Sequence, residues 1–337
     1  DTIVDVEEGD LILDTSIQSG IPHTHVCGGA ARCSTCRVLV VEGLENCGKR
    51  NGAEHAIAKR LRLDPSVRLA CQTQILGDMT VRRLALDTED VASIRAQAQG
   101  KAEPEFHGQE KHVAILFADL RGFTSLSEKL LPYDVIDLLN RYFRRVGMAI
   151  DRNGGAINNY MGDGLMALFG MNDPNWAAER AVRAGLDMIE ALETLNPYVQ
   201  ALYRQKLEIG IGIHYGRVAF GEVGAIDNRR PTAIGDAVNL ASRIESANKE
   251  VGSNLLVSES VYEQVRDKVK VNQCVRVQLK GKSGDYPLYE IVTIDPANAS
   301  VELASRSCKR SKSGQLWARM WAFLKRLGRT VWLWLTL

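Results

Sequence analysis

Four cysteines stand at a spacing that serves metal chemistry. Cys27-Gly-Gly-Ala-Ala-Arg-Cys33-Ser-Thr-Cys36 is a C-x5-C-x2-C run, and Cys71 lies further on in Val67-Arg68-Leu69-Ala70-Cys71-Gln72. Four thiolates from one loop and one distant strand suit a [2Fe–2S] cluster, whose two irons each take two protein sulfurs. A structural zinc site usually shows paired C-x2-C units, and only one such pair exists here. The glycines let backbone amides turn toward inorganic sulfide in conformations that a Cβ would oppose. Cys47, Cys274 and Cys308 fit no ligand position and read as incidental thiols.

A second set of residues could handle a phosphate. Phe117-Ala118-Asp119-Leu120-Arg121-Gly122-Phe123-Thr124 puts an acid where an apolar run ends, just before a glycine-containing turn. Such a turn offers N–H groups to phosphates while the carboxylate holds Mg2+. Asp163 lies between Gly162 and Gly164. Either acid alone reads as a turn aspartate, but as neighbours in a sheet the two could share two metal ions. The third piece is Thr232-Ala-Ile-Gly-Asp236-Ala-Val-Asn239-Leu-Ala-Ser-Arg243. Asn239 and Arg243 are four apart and share a helical face, where an amide and a guanidinium can orient a sugar and neutralise a transferring phosphoryl group. Alone, that segment reads as a solvated helix.

The elements that must position these groups fall into an N-terminal domain (1–96), a linker (97–110), a second domain (111–295) and a tail (296–337). The first has short β-type runs at Thr2–Val6, Cys36–Val41 and Met79–Arg82. In the second, His112–Ala118 is apolar enough for a buried strand. Leu126–Ile150 predicts one amphipathic helix, ended by Gly154-Gly155. Ala156–Met161 and Leu165–Phe169 flank Gly162-Asp163-Gly164 as a hairpin. Ala177–Leu195 follows as a helix and Leu207–Tyr215 as a strand. The order β-α-β-β-α-β predicts a split βαβ sheet with helices on one face.

The cysteine pattern resembles that of adrenodoxin-type [2Fe–2S] ferredoxins. The resemblance implies a β-grasp fold holding one cluster per chain through Cys27, Cys33, Cys36 and Cys71. That family opens with a β-hairpin, and Thr2–Val6 reads as its second strand. The first strand is therefore expected to be missing, and a chain opening on Asp1 reads as a fragment. The Asp119, Asp163 and Asn239/Arg243 motifs, in this order, resemble the class III nucleotidyl cyclases. This likeness runs over about residues 110–294 and implies a ferredoxin-like α+β catalytic domain. The implied reaction turns a nucleoside triphosphate into a 3′,5′-cyclic monophosphate and pyrophosphate with two Mg2+ or Mn2+ ions. Asp119, Asp163 and the Leu120 carbonyl match the metal ligands, and Asn239 and Arg243 the transition-state pair. Lys280, in Leu279-Lys280-Gly281-Lys282, matches the phosphate-binding lysine, with Lys282 as competitor. A homodimer with two shared sites is implied as well.

At the base pocket the family's adenylate cyclases carry Lys, where this chain has Asn159, and Asp or Thr, where it has Thr232. An Asn amide and a Thr hydroxyl can serve either purine. ATP ranks ahead of GTP because the guanine-type Glu/Cys pair is absent. The expected function is therefore an adenylate cyclase governed by an iron–sulfur redox domain. The alternatives are a guanylate cyclase, or a nucleotide-binding module attached to an electron-transfer ferredoxin with its redox partner.

Composition narrows the remainder. The 337 residues are 45% hydrophobic and 25% charged, with net charge +1, which excludes wholesale disorder. From Arg306 onward there are eight Lys/Arg and no Asp or Glu, leaving the body 34 basic against 41 acidic residues. A general nucleic-acid-binding face is excluded for so acidic a body. The tail holds four of the five tryptophans, and Trp317, Met320, Trp321, Leu324, Leu327 and Val331 share one helical face opposite Arg319, Lys325, Arg326 and Arg329. Such a helix suits a membrane surface or docking on protein. The expected location is the cytoplasm, at the inner face of the membrane where the tail engages it.

Overall fold

The computed structural model describes residues 2–84, 91–92, 109–224, 228–279, 281–282, 284–294 and 309–310. The chain divides into two compact units, Asp1–Gln109 and Glu110–Leu337. The expected linker lies largely outside the described residues, as does the tail apart from Lys309–Arg310. Among the described residues no helix is long and apolar enough to cross a membrane.

In the first unit β1 (Arg37–Glu42) is the centre of a three-stranded antiparallel sheet, between β2 (Val67–Leu69) and β3 (Thr80–Arg83). Helix α1 (Ile12–Gln18) buries Ile12 and Leu13 against Val38, Leu69 and Ile75, and Cys36 and Cys71 belong to the same small core. Helix α2 (Gly52–Leu61) begins at Asn51, whose side chain accepts the Glu54 N–H at 2.9 Å. So small a core is braced by a buried ion pair. Arg68 donates to both Glu54 oxygens, at 2.9 and 2.8 Å, and Glu54 also accepts the Leu69 N–H. Glu54 thereby ties α2 to the strand that leads into Cys71. Thr2–Val6 is not a strand, because among the described residues no strand takes up its backbone groups, and Ile3 is 95% exposed.

The second unit runs β4 (Gln109–Leu120), α3 (Phe123–Ser127), α4 (Pro132–Arg152), β5 (Gly155–Met161), β6 (Gly164–Phe169), α5 (Ala177–Tyr203) and β7 (Ile209–Val223). Their spatial order β7-β4-β6-β5 is the split βαβ arrangement. Strand β8 (Arg230–Ile234) pairs antiparallel with β7, and α6 (Asp236–Val251) follows it. Beyond β7 lie β9 (Leu255–Ser258), β11 (Asp285–Ile294), β10 (Val269–Gln278) and β12 (Lys309–Arg310), with α7 (Glu259–Val265) after β9. The single helix expected over Leu126–Ile150 is two. Leu131 is extended (φ −71°, ψ 148°) because the residue before a proline disfavours the helical region, and Pro132 opens α4 afresh. Helix α5 runs through Pro197 to Tyr203 rather than ending at Leu195.

Helices cover both faces of this sheet, not one. Ala114, Leu116 and Ala118 of β4 pack with Leu138, Tyr142 and Val146 of α4 and with Val182 and Met188 of α5. The alternate residues Val113 and Ile115 pack with Ala237 and Ala241 of α6. Strand β7 shows how α6 is seated. Ile209, Ile211 and Ile213 enter the α4/α5 core, while Gly210, Gly212 and Gly216 face α6. A Cβ on Gly212 would overlap the Glu245 backbone nitrogen and stand 2.6 Å from its Cα and 2.8 Å from the Ala241 carbonyl. Glycine is required there by space, not by dihedral angle.

Gly212→Ala is therefore expected to cost about 3 kcal/mol or more, because backbone cannot yield as a flexible side chain can. Gly147→Ala in α4 should instead gain about 0.5–1 kcal/mol, since its Cβ would meet only Ile157 Cδ1 at 3.6 Å. Urea unfolding midpoints of the two variants against wild type check both signs.

Candidate active site

Each residue read as functional, Lys280 excepted, can be placed from its element. Cys27 and Cys33 lie in the loop before β1, Cys36 at its start and Cys71 just after β2. The thiols fall into two pairs. Cys27 lies near enough to Cys33 for that side chain to lower its thiol, and Cys36 donates to Cys71 across 3.5 Å. Accepting from Cys36 holds the Cys71 thiol down to about 6 and Cys36 well above the ordinary thiol value. Burial pushes Cys27 up, but the Arg32 N–H and the Cys33 side chain outweigh it and leave the thiol low. Two pairs of thiols suit two irons, each drawing two sulfurs. Cys47 is packed beside Arg68 and Glu54, and burial raises its thiol. Cys274 is disulfide-bonded rather than an incidental thiol, and Cys308 lies outside the described residues.

Asp119 and Asp163 meet at one end of the sheet. The antiparallel register Ala118↔Leu165 brings Asp119 beside Gly164, where a Cβ would stand 3.0 Å from the Asp119 carboxylate. Gly164 thus leaves room between the acids. Burial, then the charge of Asp163, raises the Asp119 carboxyl above its usual value, against the pull of Lys249. Burial likewise raises Asp163, opposed by the N–H groups of Asp163 itself and of Leu120. The buried Tyr142 hydroxyl lies in the field of both acids without a hydrogen-bond partner. Two half-buried, mutually repelling carboxylates are a donor set suited to divalent cations. Among the described residues no three His, Cys, Asp or Glu are grouped closely enough to hold a metal ion, the four cysteines included. Mg2+ takes one or two carboxylates and completes its shell with water and phosphate, a donor set that a pair of acids can begin.

Asn239 and Arg243 stand on the other part of α6. Asn239 is exposed in its first turns, and the Arg243 guanidinium lies 3.5 Å from the Cβ position of Gly281. The turn there is closed by Lys282 N–H donating to the Leu279 carbonyl, and Lys282 is ion-paired with Asp236. Lys280 lies outside the described residues. The same helix reaches the acids at its far end, where Lys249 comes within 3.9 Å of Asp119. Lys249 lies six residues beyond Arg243 and ten beyond Asn239, about 9 and 15 Å along the axis. Within one chain the acids are therefore neighbours of the C-terminal half of α6, whereas Asn239 lies in its first turn and Arg243 at its middle.

Two residues carry more than the sequence reading gave them. Glu245, 8% exposed on α6, is pushed up to about 7 by burial and then by the Asp119 charge. An acid at a core-facing position of α6 was the available signal. The other is Asn158. The β5–β6 register slips between Ile157 and Asn159, so Asn158 occupies a bulge, and its side chain reaches β8. Its amide nitrogen donates to the Pro231 carbonyl at 2.9 Å, and its oxygen accepts from Thr232 Oγ1 at 3.2 Å and the Ala233 N–H at 3.4 Å. Asn159, one residue on, is exposed and makes none of these bonds. The Asn-Asn doublet, which breaks strand alternation, was the signal.

Comparison with known proteins gives a family for each of two stretches of the chain. Residues 106–293 match the family described as adenylate and guanylate cyclase catalytic domain, and residues 1–76 match the 2Fe-2S iron-sulfur cluster binding domain. An adenylate cyclase of Anabaena cylindrica is 38% identical over 188 residues, 54% of this chain and 37% of that protein. The terminal-differentiation specific adenylate cyclase of Dictyostelium discoideum is 37% identical over 54% of this chain and 9% of its own length. The chain thus spans well under two thirds of these relatives. Among solved structures, the guanylyl cyclase Cya2 superposes with a TM-score of 0.53 at 35% identity, covering 59% of this chain and 98% of that one. The adenylyl cyclase CyaB of P. aeruginosa gives 0.51 at 33%, covering 55% and 95%.

Glu245 sets a pH dependence. A carboxyl raised in the folded state contributes stability at low pH that is lost as the pH climbs through about 7. Without divalent cations, Glu245→Gln should raise Tm by several degrees at pH 8.5 and leave it unchanged at pH 5, by differential scanning calorimetry.

Proposed function

Because the chain belongs to the adenylate and guanylate cyclase catalytic domain family, we propose that it converts ATP to 3′,5′-cyclic AMP and pyrophosphate. The meeting of Asp119 with Asp163 at the sheet end carries this reading. The ribose 3′-oxygen bonds to the α-phosphorus, the bond to the β-bridging oxygen breaks, and the 3′-hydroxyl proton leaves to solvent as pyrophosphate departs. Both partners belong to one molecule, so holding the reacting atoms in line supplies much of the rate. Divalent cations on Asp119, the Leu120 carbonyl and Asp163 would supply charge for the triphosphate and a lower 3′-hydroxyl pKa. Asn239 orients the ribose, and Arg243 neutralises charge building on the α-phosphoryl oxygens. Lys280 takes the terminal phosphates, which the engagement of Lys282 with Asp236 supports. Thr232 and the exposed Asn159 read the base.

The separation of the acids from Asn239 along α6 supports a homodimer in which each site takes its acids from one chain and its Asn/Arg pair from the other. The first unit is proposed to hold one [2Fe–2S] cluster through Cys27, Cys33, Cys36 and Cys71, which the two thiol pairs support. A change of one electron there would alter how the subunits dock and hence the rate. The basic, Trp-rich tail is proposed to meet a membrane surface.

Product analysis of the anaerobically purified protein with ATP and Mg2+ or Mn2+ tests the reaction, and cyclic AMP is the expected product. Asp163→Ala and Arg243→Ala should each be inactive, and an exchanged equimolar mixture should recover about a quarter of wild-type activity, since half the dimers then hold one intact site. No recovery after demonstrated subunit exchange would refute the shared site.

The cluster makes a separate prediction. The protein should contain roughly two irons and two sulfides per chain, lost in Cys33→Ser and kept in Cys47→Ser. Cyclic AMP formation should differ several-fold between air-oxidised and dithionite-reduced wild type, and equal rates would remove the regulatory role.

A further inference from the structure

The bulge at Asn158 bears on which purine the site accepts. Its amide orientation is dictated by backbone, not by choice of rotamer. Turning the amide over would set its NH2 against the Ala233 N–H and its oxygen against the Pro231 carbonyl, two repulsive pairs. With the oxygen thus fixed toward β8, Thr232 Oγ1 must donate its only hydrogen to Asn158. What Thr232 then presents to a ligand is lone pairs alone. A hydroxyl free to rotate serves either purine; a hydroxyl whose proton is committed accepts and cannot donate.

We infer that Asn158 is a positioning residue that sets base specificity, locking Thr232 as an acceptor for the exocyclic amino group at C6 of adenine. This rests on the cyclase reading and on Thr232 facing the base, and it refines both. Guanine and hypoxanthine carry an oxygen at C6, which would meet the Thr232 lone pairs without a proton between them. The mismatch leaves two acceptors facing each other in a half-buried site, an arrangement that costs more than a missing contact. Asn158 needs no contact with the nucleotide. Its effect passes through one hydrogen bond, and the bulge in β5 is what brings its side chain to β8.

The test compares kcat/KM for ATP, ITP and GTP in the full-length, cluster-loaded protein. ITP differs from ATP at the C6 edge without the 2-amino group of guanine. Wild type should prefer ATP over both. Asn158→Ala frees the Thr232 hydrogen, and the ATP:ITP ratio should fall about ten-fold, mostly through a lower KM for ITP. Thr232→Val, nearly isosteric, should lower the ratio through loss of ATP, whereas Thr232→Ser should keep it. A folding defect would lower both substrates together and leave the ratio alone, so a ratio unchanged in active Asn158→Ala or in Thr232→Val overturns the inference. A wild-type preference for ITP or GTP does the same and displaces ATP as the substrate, while leaving the cyclisation chemistry intact. Turnover of none of the three by wild type overturns the cyclase reading and this inference with it.

Discussion

The backbone-to-backbone seating of α6 on β7 is the constraint on which the catalytic unit depends. Ile and Gly alternate along Ile209-Gly-Ile-Gly-Ile213, so that one face of the strand fills a core and the other is bare. Only a bare strand lets a helix approach until a methyl group would collide with its main chain. That closeness fixes the rotation and height of α6 together. Asn239, Arg243, Glu245 and Lys249 then have little freedom in where their side chains begin. The apolar stripe of the helix, Leu240, Ile244 and Ala247 against Leu256, Val275 and Leu288, does the rest. A looser seat would leave the same residues on the same helix with no defined relation to the acids.

The first unit solves a different problem. Its apolar core is small, and two of its members are cysteines read as cluster ligands. Rigidity near them comes from the Glu54–Arg68 pair, which also caps the Leu69 N–H and the Gly48 carbonyl. Such added hydrogen bonds to main chain help make a buried ion pair tolerable. Truncating either partner would strand the other in the interior.

Residues whose meaning is local were legible in the sequence. The C-x5-C-x2-C run, the acid ending an apolar strand, the Gly-Asp-Gly tip and the four-residue spacing of Asn239 and Arg243 each announce themselves within a few positions. What stayed hidden depends on neighbours distant in sequence. Asn158 acquires its partner 74 positions away, through a register slip that no alternation pattern displays. Glu245 becomes unusual through its burial and, after that, through the charge of Asp119, neither of which its neighbours in sequence reveal. The helix break before Pro132 was local and could have been read, but the amphipathic pattern on either side is continuous and masked it. Thr2–Val6 shows the opposite error, a β-type composition without a strand to pair with. Helices on both faces of the sheet follow from β4 being apolar at consecutive positions, Val113 through Leu116.

Helix α6 touches the acids through Lys249 at one end and offers Asn239 from the other and Arg243 from its middle. In a two-fold dimer with shared sites, one rigid rod therefore serves both reaction centres at once. A tilt of that rod toward one nucleotide displaces its opposite end from the other. In that proposed dimer, occupancy of the first centre would be felt at the second, with a coupling that thermodynamics makes reciprocal for binding. Cooperativity between the two nucleotides would be a property of the lever itself, requiring no separate regulatory site.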